Sequence, residues 1–312
     1  MRRYSASLVL LMACNGPEGN PLADCILSGE CDTGTAPEAY WVQISAGMHE
    51  TCGVLSDGQL LCWGSGECEE DDIHAPLNTG KQAIAPDGEF THVSLAYLHA
   101  CAVRTDGSIL CWGLNDQGQL IAPEGVFRKV SVGEYHSCAL SQTGRIECWG
   151  NNTLGQSDPP DEKDFVDIST GWDHSCAQRS DGTMVCWGGD DRNQISPTPT
   201  DAQLQMETGW SHSCAIGLEN QIRCWGQNEA GQSMGPDGKY TYVSSGDDQS
   251  CAVNTEGYVT CWGETEFGVL EAPPARFQTV TSGWNSACGI TVDNEVLCWG
   301  SNQSGQLDVP LP

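Results

Sequence analysis

Basic residues are scarce in this 312-residue chain: 13 lysines and arginines stand against 42 aspartates and glutamates, a formal charge of -29. A surface of that sign repels phosphate backbones and anionic headgroups, which excludes a nucleic-acid groove or a polybasic membrane patch. Long apolar runs are missing too. The longest unbroken one, Leu8 to Cys14, falls far short of the roughly 20 residues that cross a bilayer. No segment carries a convincing helical period. No Ser-His-Asp order, catalytic carboxylate pair or phosphate loop stands out, so neither enzymatic activity nor a cofactor is expected. Asp190-Asp191 and Asp247-Asp248 lack the spacing of a calcium loop, and no metal is assigned to them.

Cysteine is what the chain has in excess: 18, beside 37 glycines and 11 tryptophans. That usage fits an oxidising compartment, so export is expected. Arg2 and Arg3 begin a short signal, Leu8 to Met12 supplies its apolar part, and Leu11-Met12-Ala13-Cys14 ends it. The tetrad resembles a bacterial lipobox. The resemblance implies that residues 1–13 are a signal peptide and that Cys14 carries the lipid, placing the protein in the cell envelope or outside the cell. An ordinary signal peptide is the alternative, and it too takes the chain out of the cytoplasm. Residues 14–39, rich in glycine, proline and acids, read as a flexible tether reaching on the order of 25 to 30 Å. Cys25 and Cys31 are expected to close a small loop within it.

From Tyr40 onward the sequence repeats. Cysteine pairs fall at Cys52 and Cys62, Cys101 and Cys111, Cys138 and Cys148, Cys176 and Cys186, Cys214 and Cys224, Cys251 and Cys261, and Cys288 and Cys298, always ten residues apart. Seven units of about 37 residues result, over about 40–89, 90–126, 127–164, 165–203, 204–239, 240–276 and 277–312, the first enlarged by an insertion. Short alternating runs between turn residues mark antiparallel strands. Six residues after each first cysteine stands Gly58, Gly107, Gly144, Gly182, Asn220, Gly257 or Asn294, residues that tolerate positive φ. A three-residue hairpin loop ending there pairs position i with i+10, so the two cysteines face each other within disulfide reach. Zinc is the competing reading, because His99, His136, His174 and His212 stand two residues before a first cysteine. The equivalent positions elsewhere are Glu50, Gln249 and Ser286, so disulfides account for all seven pairs and zinc for four.

The third unit, with Gly133, His136-Ser137, Gly144, Trp149-Gly150 and Gly155-Gln156, resembles the regulator of chromosome condensation repeat. The resemblance covers residues 40–312. It implies an all-β fold, a seven-bladed β-propeller of four-stranded blades, in which the Trp-Gly tryptophans fill the gaps between blades. Gly155-Gln156 followed by Pro159, and Gly305-Gln306 followed by Pro310, are similar to the secreted bacterial propellers that inhibit β-lactamases. That likeness makes a protein-binding module the leading expectation, with an extracytoplasmic protein as partner. A carbohydrate-binding propeller is the alternative. The chain is expected to be a monomer that touches a membrane only through its lipid anchor.

Four and three residues before each first cysteine the units disagree, reading Met48-His49, Tyr97-Leu98, Glu134-Tyr135, Trp172-Asp173, Trp210-Ser211, Asp247-Asp248 and Trp284-Asn285. Rotation about one axis would gather these loops on one rim. Met48, Tyr97, Tyr135, Trp172, Asp173, Trp210, Asp247, Asp248, Trp284 and Asn285 are therefore the candidate partner-binding residues, aromatic side chains being those that dominate interfaces. The competing reading packs Trp172, Trp210 and Trp284 as core at the propeller end. The acidic insertion 65–83 reads as a solvated loop rather than a cation site, and its Cys68 has no counterpart in the other repeats.

Overall fold

The computed structural model describes residues 39–64 and 84–312. Cys14, Cys25, Cys31 and the insertion with Cys68 lie outside the described residues. Turn chemistry fixes the local structure. Gly58, Gly107, Gly144, Gly182 and Gly257 have φ between +81° and +92°, and Asn220 and Asn294 have φ of +67° and +63°. Each ends a tight loop, and the register that follows sets Cys52 opposite Cys62 and likewise in every unit. All seven pairs are disulfide-bonded, with Cα atoms 4.0 to 4.1 Å apart.

Blade 1 comprises β1 (Trp41–Ala46), β2 (Glu50–Leu55) and β3 (Leu60–Gly64), and blade 2 comprises β4 (Phe90–Leu95), β5 (His99–Arg104) and β6 (Ile109–Gly113). Blade 3 has β7 (Phe127–Val132), β8 (His136–Ser141) and β9 (Ile146–Gly150); blade 4 has β10 (Phe165–Thr170), β11 (His174–Arg179) and β12 (Met184–Gly188). Blade 5 has β13 (Gln203–Thr208), β14 (His212–Gly217) and β15 (Ile222–Gly226). Blade 6 has β16 (Tyr240–Ser245), β17 (Gln249–Asn254) and β18 (Val259–Gly263); blade 7 has β19 (Phe277–Ser282), β20 (Ser286–Thr291) and β21 (Val296–Gly300). Every sheet is an antiparallel meander in sequence order.

The described sheets have three strands, not the expected four. After the third strand the chain turns, and side chains take the N–H groups that a ladder would have used. Asn115 Oδ1 accepts from Leu120 N, and Gln119 Oε1 from Gln117 N. Asn152 and Gln156 repeat this in blade 3, and Asn302 and Gln306 in blade 7. Prolines in the same segments, such as Pro123 and Pro159, have no N–H to offer.

Apolar residues gather in the gaps between blades rather than in one centre. Cys52, Val54, Phe90 and Val93 pack between blades 1 and 2, and Trp41, Trp63, Ile290 and Val296 between blades 1 and 7. The Trp-Gly indoles close these gaps, donating Nε1–H to a carbonyl of the neighbouring blade's trailing segment: Trp149 to Gln119, Trp187 to Gln156, Trp225 to Gln194 and Trp63 to Gln306. The Gly-Gln motif thus supplies both a turn and an acceptor.

A second set of bonds rings the axis. The hydroxyl at the fifth position of a first strand accepts from the backbone N–H at the last position of the next one: Ser45 from Leu95, Ser94 from Val132, Ser131 from Thr170, Ser169 from Thr208 and Ser244 from Ser282. Thr281 accepts from Ala46 in the same way, so blade 7 closes directly on blade 1. The result is a seven-bladed propeller.

Candidate functional site

Between the first and second strands the chain crosses the end of the axis, and neighbouring blades nearly touch. A Cβ on Gly133, Gly171, Gly209, Gly246 or Gly283 would collide with the carbonyl oxygen of the next blade, which explains the glycine before the variable pair. The following amides tie the blades together: Trp210 N donates to Gly246 O, Asp247 N to Gly283 O and Trp284 N to Gly47 O. The second residue of the pair turns away. Its carbonyl accepts a backbone N–H from just beyond the third strand of its own blade, as at Tyr135 from Asn151, Asp173 from Gly189, Asp248 from Glu264 and Asn285 from Ser301.

This geometry sorts the expected rim. Met48, Tyr97, Trp172, Trp210, Asp247 and Trp284 converge on one mouth of about 140 Å³, joined by Glu134. Tyr135, Asp173, Asp248 and Asn285 do not line it. Asp173 instead accepts from Gln194 Nε2, and Asp248 from Gln232 Nε2 and Gln227 Nε2, so these carboxylates anchor the neighbouring turns. Trp172 is 41% exposed, and its ring meets that of Trp210 edge-on at 4.8 Å. Trp284 is half-buried, with the His49 ring 5.8 Å away. The tryptophans are neither sealed core nor free surface; they wall an open cavity.

The two acids in the mouth are electrostatically unusual. Burial, reinforced by Asp248, pushes Asp247 up to about 8, although the Trp284 side chain hydrogen-bonds it. Burial pushes Glu134 up to about 7 against a hydrogen bond from Tyr135, and its Oε2 is buried without a partner. Sequence reasoning favoured Tyr135 over Glu134; the register of the pair, first residue inward, was the available signal.

Behind the mouth lies a belt formed by the first residue of each second strand. His99, His136, His174 and His212 are fully buried, and each Nε2 bonds the serine Oγ of the next blade, namely Ser137, Ser175, Ser213 and Ser250. Burial pushes His99, His136 and His212 down to about 3. These histidines are inter-blade links, and the cysteines beside them are already disulfide-bonded. Gln249 continues the belt by donating to Gly283 O. Glu50 ends it: 3% exposed, with Oε1 unpartnered, it is pushed up to about 8 by burial.

Sequence reasoning missed a cluster inside the channel. The third position of the first strands holds Gln43, His92, Lys129 and Tyr242 around a cavity of about 160 Å³. Lys129 Nζ pairs with Asp167 Oδ1 at 2.6 Å. Burial disfavours the ammonium, but Asp167 and Glu207 outweigh it and hold Lys129 above its ordinary value. Glu207 is itself pushed up to about 6 by burial. Alignment of the third strand position across the repeats would have exposed this polar column.

The family model described as Regulator of chromosome condensation (RCC1) repeat matches residues 90–119, 127–156, 165–194, 205–232 and 277–306. No curated protein matches the chain by sequence. Among solved structures, the chain is similar to the ectodomain of the Physcomitrella patens receptor kinase CR4, with a TM-score of 0.70 at 22% identity over 84% of this chain and 74% of that one. The CRINKLY WD40 ectodomain of the Arabidopsis thaliana receptor kinase ACR4 gives 0.67 at 22% identity, over 88% and 100%. Prp20p of Saccharomyces cerevisiae gives 0.65 at 14% identity, over 85% and 83%. At such identities the structural likeness speaks for the fold alone. The five matches show that the chain carries regulator of chromosome condensation repeats.

Proposed function

We propose that this protein is an exported propeller that binds another protein through the mouth at one end of its axis. The observation that carries the reading is the sorting of the variable loop pairs: seven equivalent positions converge on one cavity, and they hold five different residue types. The frame behind them scarcely changes. The related Prp20p is described with binding to Gsp1p and histones, and is also seen with Kap60; partner binding by such a propeller has precedent. The proposed role is binding rather than catalysis. Seven disulfides fit an oxidising compartment.

The proposal extends to the organisation of the chain: a signal peptide over 1–13, a tether over 14–39 attached to lipid through Cys14, and a monomeric propeller over 40–312. Replacing Cys14 by Ser should release the protein from the membrane fraction and remove the acyl mass increment. For the mouth, the test is affinity capture from intact cells with the mature chain. Trp172→Ala and Trp210→Ala should each weaken capture of the partner by roughly 2 kcal/mol, as hot-spot truncations do, with an unchanged circular dichroism spectrum. Normal capture by both variants would refute the assignment, and recovery of a glycan instead of a protein would favour stacking of a sugar on the exposed Trp172 ring.

A further inference from the structure

The charge inside the mouth is of one sign. Among the described residues, its acidic lining residues are Glu134 and Asp247, contributed by blades 3 and 6, and no lysine, arginine or histidine lines it. Around them stand indole and phenol rings, whose faces are electron-rich and attract cations. Glu134 leaves a buried oxygen without a hydrogen bond. Behind Gly47, at the foot of the wall, Glu50 leaves another, 3.0 Å from where a Cβ on that glycine would stand. Each visitor meets these groups differently. An acidic side chain would add a further negative group to two carboxyls, and an apolar one would seal in the orphaned oxygen. A cation meets ring faces and carboxylates together.

We infer that the mouth receives a cationic side chain, the ammonium of a lysine or the guanidinium of an arginine, presented by the partner. The inference rests on the mouth being a protein-binding surface and adds the chemistry of the anchor. The chain's formal charge of -29 would steer a basic segment toward it. The cavity, at about 140 Å³, suits one side chain rather than a folded element.

Binding and ionisation are then linked. Around Asp247 stand Asp248, Glu134 and the Trp284 indole; around Glu134 stand Tyr135, Asp173 and the His99 ring, which contacts its backbone. Tyr97 and Asp116 lie beside Tyr135, and His49 beside Trp284. Arg192 is the cation in this shell, and it acts on Asp248 against Glu264 and Glu229. With burial added, both mouth carboxyls hold protons that an arriving cation displaces, so the complex should tighten as pH rises from 6 to about 8.5.

The test titrates the folded chain, following tryptophan fluorescence, with capped pentapeptides that carry a central lysine, arginine, norleucine or glutamate between glycines. The lysine and arginine peptides should bind roughly fivefold to tenfold more tightly than the norleucine peptide at pH 8.5, and the advantage should shrink at pH 6. Asp247→Asn should remove most of the preference, whereas Glu271→Gln, outside the mouth, should leave it intact. Equal binding of the lysine and norleucine peptides at every pH would overturn the inference while leaving a protein-binding mouth in place. Preference for glutamate, or no binding by any peptide, would overturn it as well, and the capture experiment with the tryptophan variants would then decide the broader reading separately. The pH series on the unsubstituted protein keeps the test decisive if Asp247→Asn fails to fold.

Discussion

Glu50 occupies a belt position that holds histidine in four blades and glutamine in blade 6, and it is the belt member whose loss of a proton works against folding. Its carboxyl is 3% exposed and pushed up to about 8 by burial, from an ordinary value of 4.5. A carboxyl with a folded value above its unfolded value keeps its proton better when folded. Its contribution to stability is therefore complete below pH 4.5 and is lost as pH rises to 8. Each pH unit in that window costs 1.36 kcal/mol, which gives about 3 kcal/mol at pH 7 and about 5 kcal/mol at pH 9. Glu50→Gln removes the ionisation and can do more. Gln249, at the same position of blade 6, donates Nε2–H to Gly283 O at 2.7 Å, and the Ala96 carbonyl abuts Gly47 as Gly283 abuts Gly246. A glutamine amide in place of Glu50 would have that acceptor within reach. Scanning calorimetry from pH 4.5 to 9 should show the variant gaining on the unsubstituted protein, by on the order of 6 °C in Tm at pH 7 and by more at pH 9. A Tm difference independent of pH, or a variant less stable at pH 8, would refute the reasoning.

The buried histidines set the opposite limb. His99, His136 and His212 lie at about 3 when folded against 6.5 when unfolded, so their contribution is complete above pH 6.5 and is lost as pH falls toward 3. Combined with Glu50, this places the maximum of Tm between about pH 6 and 7, which the same calorimetric series measures. Each hairpin disulfide closes a short loop worth about 2.5 kcal/mol in the chain-entropy model; non-reducing peptide mapping should link Cys138 to Cys148, and reductant should lower Tm. Ser131→Ala strips the acceptor from the buried Thr170 N–H and should cost about 1 to 3 kcal/mol in denaturant unfolding, with no loss of β-structure by circular dichroism.

How much of this was legible in the sequence depended on how local the cause is. The cysteine hairpins were fully legible, because a residue with positive φ such as Gly144 sets the register of a loop and the partner is ten residues away. Antiparallel strands followed from the alternating runs between turn residues, and the propeller from the family resemblance that the Trp-Gly and Gly-Gln motifs carry. Blade width did not. Asn115 and Gln119 take the amides of their own turn, and the same polar residues are equally compatible with an exposed edge strand until those bonds are known. Ring closure was illegible for a different reason: Ser94 and Thr281 stand in one column of the repeat, but the N–H groups they accept from, on Val132 and Ala46, lie 38 and 235 residues away.

The binding mouth was half legible, and the missing half is geometric. Variation across the repeats marks both residues of each pair, so Glu134 and Tyr135 looked equivalent. They are separated by which neighbour the backbone meets. The glycine ahead of the pair abuts the next blade and presents the first side chain to the axis; the carbonyl of the second residue, as at Tyr135, is drawn to Asn151 at the outer turn. The same step sets Asp247 apart from Asp173 electrostatically. A first-position acid is enclosed by its neighbours, as Asp247 is, and its carboxyl rises to about 8. At the second position Asp173 meets the His174 ring and the Gln194 amide, which hold its carboxyl below the usual carboxylate value against burial, whereas Asp248, although it accepts from Gln232 and Gln227, is pushed up by burial and Glu264. Aspartates at the first and second positions of the pair thus become, in Asp247, a proton-bearing group poised to meet a cation and, in Asp173, a structural anchor.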